Sequence, residues 1–250
     1  MKQIKIEGLN LEYKDFPPTA TDRPTLVLLH EGLGCVAMWR DFPEKLAAAT
    51  GCRVVVYSRP GYGASDPHPQ PRQPDYMHRE GREVLPAFLA ALGIERPVLV
   101  GHSDGGSIAL IHAGSFPAAV SGVVVMAPHE FIEEETLAGI RVARKYWGSS
   151  DWPQKLARYH RDAVRVFHDW NDCWLSPEFR DWNIEELLPT IRCPVLAIQG
   201  ENDEYATMRQ IEVIAEQVPG TQLLKLANCG HSPQRDQEAA VLAAIAGFVG

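Results

Sequence analysis

Cysteine is scarce in this chain. Its five cysteines, Cys35, Cys52, Cys173, Cys193 and Cys229, are odd in number and include no Cys-x-x-Cys pair. That excludes a disulfide framework and a cysteine-based zinc site and points to reduced thiols. Nine histidines are scattered without the His-x-x-x-His spacing of a helical metal site, so no metal is expected. No apolar run approaches the roughly 18 residues of a membrane span. The opening Met1-Lys2-Gln3-Ile4-Lys5-Ile6-Glu7 lacks the apolar stretch of a signal peptide. A cytoplasmic location is therefore expected. Basic charge is in deficit, with 24 Lys+Arg against 32 Asp+Glu and a formal net charge of −8. This argues against nucleic acid or an anionic membrane as the main partner and leaves a small-molecule substrate. Repeats and low-complexity linkers are absent, and nothing specifies an oligomeric state. Gly32-Leu33-Gly34 follows an apolar run but lacks the third glycine of a dinucleotide fingerprint, so no cofactor is expected.

What the chain does have is 250 residues, 45% of them hydrophobic, enough for one sizeable core. Residues 2–6 and 9–14 read as an antiparallel hairpin about Gly8-Leu9. Continuous apolar runs follow at 25–30, 53–57, 97–100, 122–127, 194–198 and 222–226, the pattern of strands buried on both faces. Helical patterns separate most of them. One carries Trp39, Phe42, Leu46 and Ala49; a second covers 75–92; a third carries Met208, Ile211, Ile214 and Val218; the last spans 233–249 with Ser232 as N-cap. Such alternation implies β-α-β units in one α/β, mostly parallel, eight-stranded sheet flanked by helices. From about 129 to 189 the alternation stops and only helices are expected, one of them carrying Trp152, Leu156, Tyr159, Ala163, Val166 and Trp170 on one stripe behind Asp151 and Pro153. The core is thus expected at 1–128 and 190–250, with 129–189 an inserted helical cap that is not an independent domain.

The sharpest motif is Gly101-His102-Ser103-Asp104-Gly105, between the apolar run at 97–100 and a helical run from Ser107. A serine flanked at two residues by glycine, after a strand and before a helix, has the form of a nucleophile elbow. A serine hydroxyl needs a base, and the base needs an acid to hold its tautomer. His231 follows the 222–226 strand and Asp203 follows the 194–198 strand. Both lie at strand carboxyl ends, where open α/β sheets place their sites. Glu130, after the 122–127 strand, is an alternative acid.

The order Ser…Asp…His resembles that of the α/β-hydrolase superfamily, and the resemblance spans nearly the whole chain: the His30 loop, Ser58-Arg59-Pro60-Gly61-Tyr62-Gly63-Ala64-Ser65, the elbow, Gly200–Asp203 and Gly230-His231. Capped esterases, thioesterases and carbon–carbon bond hydrolases are the most similar group. The resemblance implies Ser103 as nucleophile, His231 as base and then acid, and Asp203 as its partner. Oxyanion donors would be the Asp104 N–H and that of Gly32 or Leu33, the choice left open because Glu31 stands where glycine is frequent. His30 and His102 read as structural.

The resulting expectation is a cofactor-free serine hydrolase acting on a small ester or thioester with an apolar or aromatic acyl group. A diketone carbon–carbon hydrolase is the runner-up, and a slow-turnover small-molecule receptor is the rival from another class. Asp104, Glu31 and Glu130 near the site would either select a cationic or hydroxyl-bearing substrate or pair with bases such as Arg59; pairing is the preferred reading. The cap aromatics are expected mainly to pack, with Trp170, Trp174 and Trp147 as candidates to line the pocket.

Overall fold

The computed structural model describes residues 1–250. Eight strands form one sheet in the order β1-β2-β4-β3-β5-β6-β7-β8. β1 (Lys2–Ile6) and β2 (Leu9–Phe16) make the antiparallel edge hairpin, Lys2 opposite Tyr13 and Ile6 opposite Leu9. β2 also runs antiparallel to β4 (Val54–Tyr57). All other pairings are parallel, through β3 (Leu26–Leu29), β5 (Val98–His102), β6 (Gly122–Met126), β7 (Val195–Gly200) and β8 (Gln222–Leu226). Every residue of β3 to β7 is buried, which is why these strands read as unbroken apolar runs. Side chains alternate between two cores: Leu26, Leu28, Val54 and Val56 face one side, Val27, Leu29, Val55 and Tyr57 the other.

Ten α-helices accompany the sheet: α1 (Phe42–Thr50), α2 (Tyr76–Arg79), α3 (Leu85–Ala91), α4 (Asp104–Ser115), α5 (Glu134–Ser149), α6 (Trp152–Leu156), α7 (Ala163–Trp174), α8 (Arg209–Gln217), α9 (Pro233–Asp236) and α10 (Glu238–Val249). None is long and apolar enough to cross a membrane. α1 and α10 pack on one face of the sheet. α3, α4 and α8 cover the other.

The helix expected at 75–92 is present as one run, α2 passing through a π-turn over Glu80–Val84 into α3. Pro86, in the first turn of α3, has no N–H to continue the ladder. Other helical expectations need correction. The single stripe expected from Trp152 to Trp170 is divided into α6 and α7. Its break carries His160, whose ring makes two hydrogen bonds to loops outside the helical segment. Asp162 then restarts the helix by accepting from the Arg165 N–H at 2.9 Å, and Tyr159 is left exposed. Finally, the 233–249 helix breaks at Gln237, and Ser232 makes no side-chain cap. Asp236 at that break accepts from the Gly230 N–H at 2.8 Å and steadies the turn before His231. In α1, Ala47 rather than Ala49 is the inward residue.

The tightest packing lies where β5 turns into α4. A methyl group on Gly101 would fall on the Gly105 carbonyl, and one on Gly105 would fall on the Leu29 carbonyl of the neighbouring strand. These are backbone atoms of buried elements and cannot swing aside. Gly105→Ala is therefore expected to destabilise the protein by about 3 kcal/mol or more, in the range of overpacked cores. A melting temperature equal to that of the wild type would show that the elbow can relax.

Candidate active site

Ser103 occupies that turn with φ 52° and ψ −122°, a region non-glycine residues seldom adopt. The strain lifts its hydroxyl off the sheet. Ser103 Oγ donates to His231 Nε2 at 2.9 Å. His231 Nδ1–H donates to the Asp203 carboxylate at 2.9 and 3.0 Å. Asp203 is held in turn by the Gln199 amide and the Tyr205 N–H, each at 2.8 Å. The strand ends of β5, β7 and β8 thus bring together the three residues singled out in the sequence. Burial opposes a charge on His231, but the hydrogen bond and charge of Asp203 outweigh it and raise its pKa above the ordinary 6.5. Burial likewise opposes ionisation of Asp203, and His231 overcomes it to lower that pKa.

The loop after β3 is shaped by what holds its carbonyls. His30 Nδ1–H and Arg59 Nη2 donate to the Glu31 carbonyl at 2.7 and 2.9 Å. Tyr62 donates to the Gly32 carbonyl at 2.8 Å, and His160 Nε2–H to the Leu33 carbonyl at 2.9 Å. Three successive carbonyls are tied away from the cavity. The Gly32, Leu33 and Asp104 N–H groups make no internal hydrogen bond, and all three residues line the cavity beside Ser103. Both Gly32 and Leu33 are thus available as the second donor. A methyl group on Gly32 would run into the Trp170 indole lying over it.

The nearby acids are mostly paired. Asp104 Oδ2 accepts from Tyr76 Oη–H at 2.5 Å and lies 3.7 Å from Arg59 Nη2. Glu31 lies 3.7 Å from His102 Nδ1. Burial opposes its ionisation, but His102 and His30 outweigh it and lower its pKa well below the usual carboxylate range. His102 Nε2–H donates to the His231 backbone carbonyl at 2.6 Å, so this elbow residue also fixes the loop of the base. The cavity is about 260 Å³. Its cover includes Trp152, Leu156, Trp170 and Trp174. Trp147 is not in its wall; it stacks on Phe167 with centroids 4.1 Å apart. Three residues here carried no signal in the sequence: Tyr76, His129 and His160. Their roles arise from contacts across 28 to 127 positions, and only the chemistry of an isolated Tyr or His could have pointed to them. No cluster of three His, Cys, Asp or Glu side chains is disposed to hold a metal ion, and all five cysteines are free thiols.

Comparison with known proteins bears on the family and the fold. The model of the α/β-hydrolase-fold family matches residues 24–165. Serine hydrolase BPHL of Mus musculus is 25% identical over 228 residues, covering 88% of this chain and 76% of that protein. A 2-hydroxy-6-oxononadienedioate/2-hydroxy-6-oxononatrienedioate hydrolase of Paraburkholderia phymatum is 25% identical over 256 residues, covering 90% and 86%. The enol-lactonase of Burkholderia xenovorans LB400 superimposes with a TM-score of 0.76 at 20% identity, over 99% of each chain.

Glu130, the alternative acid, does not reach His231. It is fully buried, both carboxylate oxygens lack partners, and burial, with Glu133 and Glu185 nearby, raises its pKa well above the ordinary 4.5. Folding therefore favours the protonated form. As pH rises above the unfolded value of 4.5, wild-type stability falls by up to about 1.4 kcal/mol per pH unit until the folded pKa is reached. Glu130→Met is expected to raise the melting temperature more at pH 7.5 than at pH 5. Equal gains at the two pH values would mean that Glu130 is ionised in the folded protein.

Proposed function

The chain belongs to the α/β-hydrolase-fold family and is a hydrolase, and within that frame we propose a serine hydrolase of small esters or thioesters with an apolar or aromatic acyl group. The observation that carries the reading is the unbroken path from Ser103 Oγ through His231 to Asp203, facing main-chain N–H groups without internal acceptors. Ser103 Oγ attacks the substrate carbonyl carbon as its proton passes to His231 Nε2. The oxyanion collects hydrogen bonds from the N–H of Asp104 and of Gly32 or Leu33. His231 then returns the proton to the departing alcohol or thiol, leaving an acyl group on Ser103. A water molecule, deprotonated by His231, attacks that acyl carbon, and the acid leaves as Ser103 regains its proton. Asp203 keeps the Nδ1–H tautomer and stabilises the transient imidazolium. The tryptophan-lined, 260 Å³ cavity suits a small apolar acyl part rather than a polymer.

A second reading, hydrolysis of a carbon–carbon bond in a diketone, is favoured by the Paraburkholderia phymatum relative, whose name describes a 2-hydroxy-6-oxo dienedioate hydrolase. The same three residues serve either bond.

A panel of p-nitrophenyl esters, acyl thioesters and diketones separates the two. On the best substrate Ser103→Ala is expected to lose about 10⁴-fold or more in kcat; full activity in that variant would refute the mechanism. The base must be neutral to accept the serine proton, so kcat/KM should rise with pH to a plateau. Its midpoint should lie above 6.5, since the His231 pKa is raised. Asp203→Asn should lower the rate by about 10³–10⁴-fold and move that midpoint down. A midpoint unmoved by this substitution would show that Asp203 does not support His231.

A further inference from the structure

His231 is gripped by its main chain as well as by its ring. Asp203 accepts from the ring Nδ1–H at 2.9 Å, and the next residue, Glu204, accepts from the His231 backbone N–H at 3.1 Å. The His231 carbonyl accepts from His102 Nε2–H at 2.6 Å, and the preceding N–H, that of Gly230, donates to Asp236 at 2.8 Å. The mechanism above uses only the first of these bonds. Two adjacent carboxylates after β7 thus hold the side chain and the main chain of one histidine.

Glu204 is exposed, and an exposed carboxylate ordinarily moves freely in solvent. Here its place is built. Gly230 leaves room for it: a Cβ there would come within 3.1 Å of Glu204 Oε2. The turn that bears Glu204 is itself pinned. Tyr205 N–H donates to Asp203 at 2.8 Å, and Asn202 N–H donates to the Cys229 carbonyl at 2.9 Å, tying the two loops together. From the cap, α5 lies directly on the turn. A methyl group on Gly139 would fall 2.7 Å from the Glu204 carbonyl and 2.8 Å from the Tyr205 ring.

Resting on the hydrolase reading above for the task of His231, we infer that Glu204 is a positioning residue for that base. Its carboxylate fixes the main chain from which the imidazole reaches Ser103, and its charge favours the imidazolium formed when the serine proton is taken. The other groups around the ring do not duplicate this. In the elbow, His102 is bound to the His231 carbonyl, and Asp104 is balanced by Arg59 at 3.7 Å. After β6, the His129 ring lies 5.9 Å away, and burial holds its pKa down to about 4, so it stays neutral. Tyr205 presents its ring at 4.8 Å, its hydroxyl neutral because burial pushes that pKa up to about 12. On α9, Arg235 lines the same cavity and opposes a positive ring. Burial is the largest influence on His231 and also opposes its charge. Asp203 offsets it first, and Glu204 follows, ahead of Glu31 in the loop after β3.

Two substitutions separate the bond from the charge. Glu204→Gln keeps an acceptor for the His231 N–H and removes the charge; Glu204→Leu removes both. Glu201→Gln, at an exposed acid two residues before Asp203, is the control. The His231 ring is titrated in each protein by ¹⁵N NMR without substrate. Its midpoint is expected to fall by about half a pH unit in Glu204→Gln, the size of one solvent-screened charge, and to stay in place in Glu201→Gln. The kcat/KM profile on the best ester should move with it, while the plateau kcat of Glu204→Gln stays within about twofold of wild type. Glu204→Leu should lower the plateau kcat about tenfold with KM within about twofold, the pattern of a displaced base. The inference is overturned if the midpoint in Glu204→Gln does not move, if Glu201→Gln moves it equally, if Glu204→Leu keeps the wild-type plateau, or if its loss lies in KM alone. Should Glu204→Leu fail to fold, the titration of Glu204→Gln decides. The hydrolase reading fails separately, through ester cleavage that persists in Ser103→Ala, a result that does not touch the NMR titration.

Discussion

The approach of three backbones at Gly101, Gly105 and Leu29 sets the terms for the rest of the molecule. No side chain fits there, so β5 and α4 lie closer than ordinary packing allows, and the residue between them is forced to a positive φ. Ser103 bears the strain, and its hydroxyl stands where the loops after β7 and β8 deliver Asp203 and His231. The same turn exposes the first N–H groups of α4, which have no carbonyl four residues back to receive them. The proposed nucleophile and oxyanion donor thus arise from one local geometry, paid for by the packing of two cores around the sheet.

The second constraint is the direction of the loop after β3. Peptide groups carry donor and acceptor on opposite sides, so tying back the carbonyls of Glu31 and Gly32 turns the Gly32 and Leu33 N–H groups the other way, while the N–H after the Leu33 carbonyl, that of Gly34, donates to the Glu31 carbonyl at 3.1 Å. His30, Arg59 and Tyr62 share this work, and His160 anchors the next carbonyl, that of Leu33. His30 is suited to it: burial, with Arg59 beside it, lowers its pKa well below 6.5, leaving a neutral ring that donates from Nδ1 and accepts the Arg59 N–H at Nε2. Preorganised donors of this kind need no rearrangement as negative charge develops.

Much of this was legible in the sequence, and the limits have physical causes. The central strands are buried on both faces, so each announces itself as an apolar run, and the glycines around Ser103 report a backbone contact directly. His231 and Asp203 are readable because each closes a strand in the expected order. The helices between β6 and β7 are less legible. α5 buries only Thr136, Leu137, Ile140 and Ala143 of its sixteen residues, a faint stripe, and the break before α7 is imposed by bonds that His160 makes to distant loops. Arg59 as a partner for Asp104 was anticipated, whereas the hydrogen bond from Tyr76 was not, because local pattern carries no trace of contacts made across the cavity.

The bond from His160 to the Leu33 carbonyl has a bearing on how such a protein can change over time. His160 belongs to the helical segment over the cavity, and its other ring nitrogen accepts from the Gly63 N–H at 2.9 Å. The segment that covers the cavity therefore also anchors the loop that carries the Gly32 and Leu33 N–H groups, the proposed oxyanion donors. Exchanging this segment for one from a relative would alter selectivity and rate together unless an equivalent donor came with it. Adaptation to new substrates is thus channelled toward replacing Trp152, Leu156 or Trp170 one at a time while the scaffold that carries His160 stays in place.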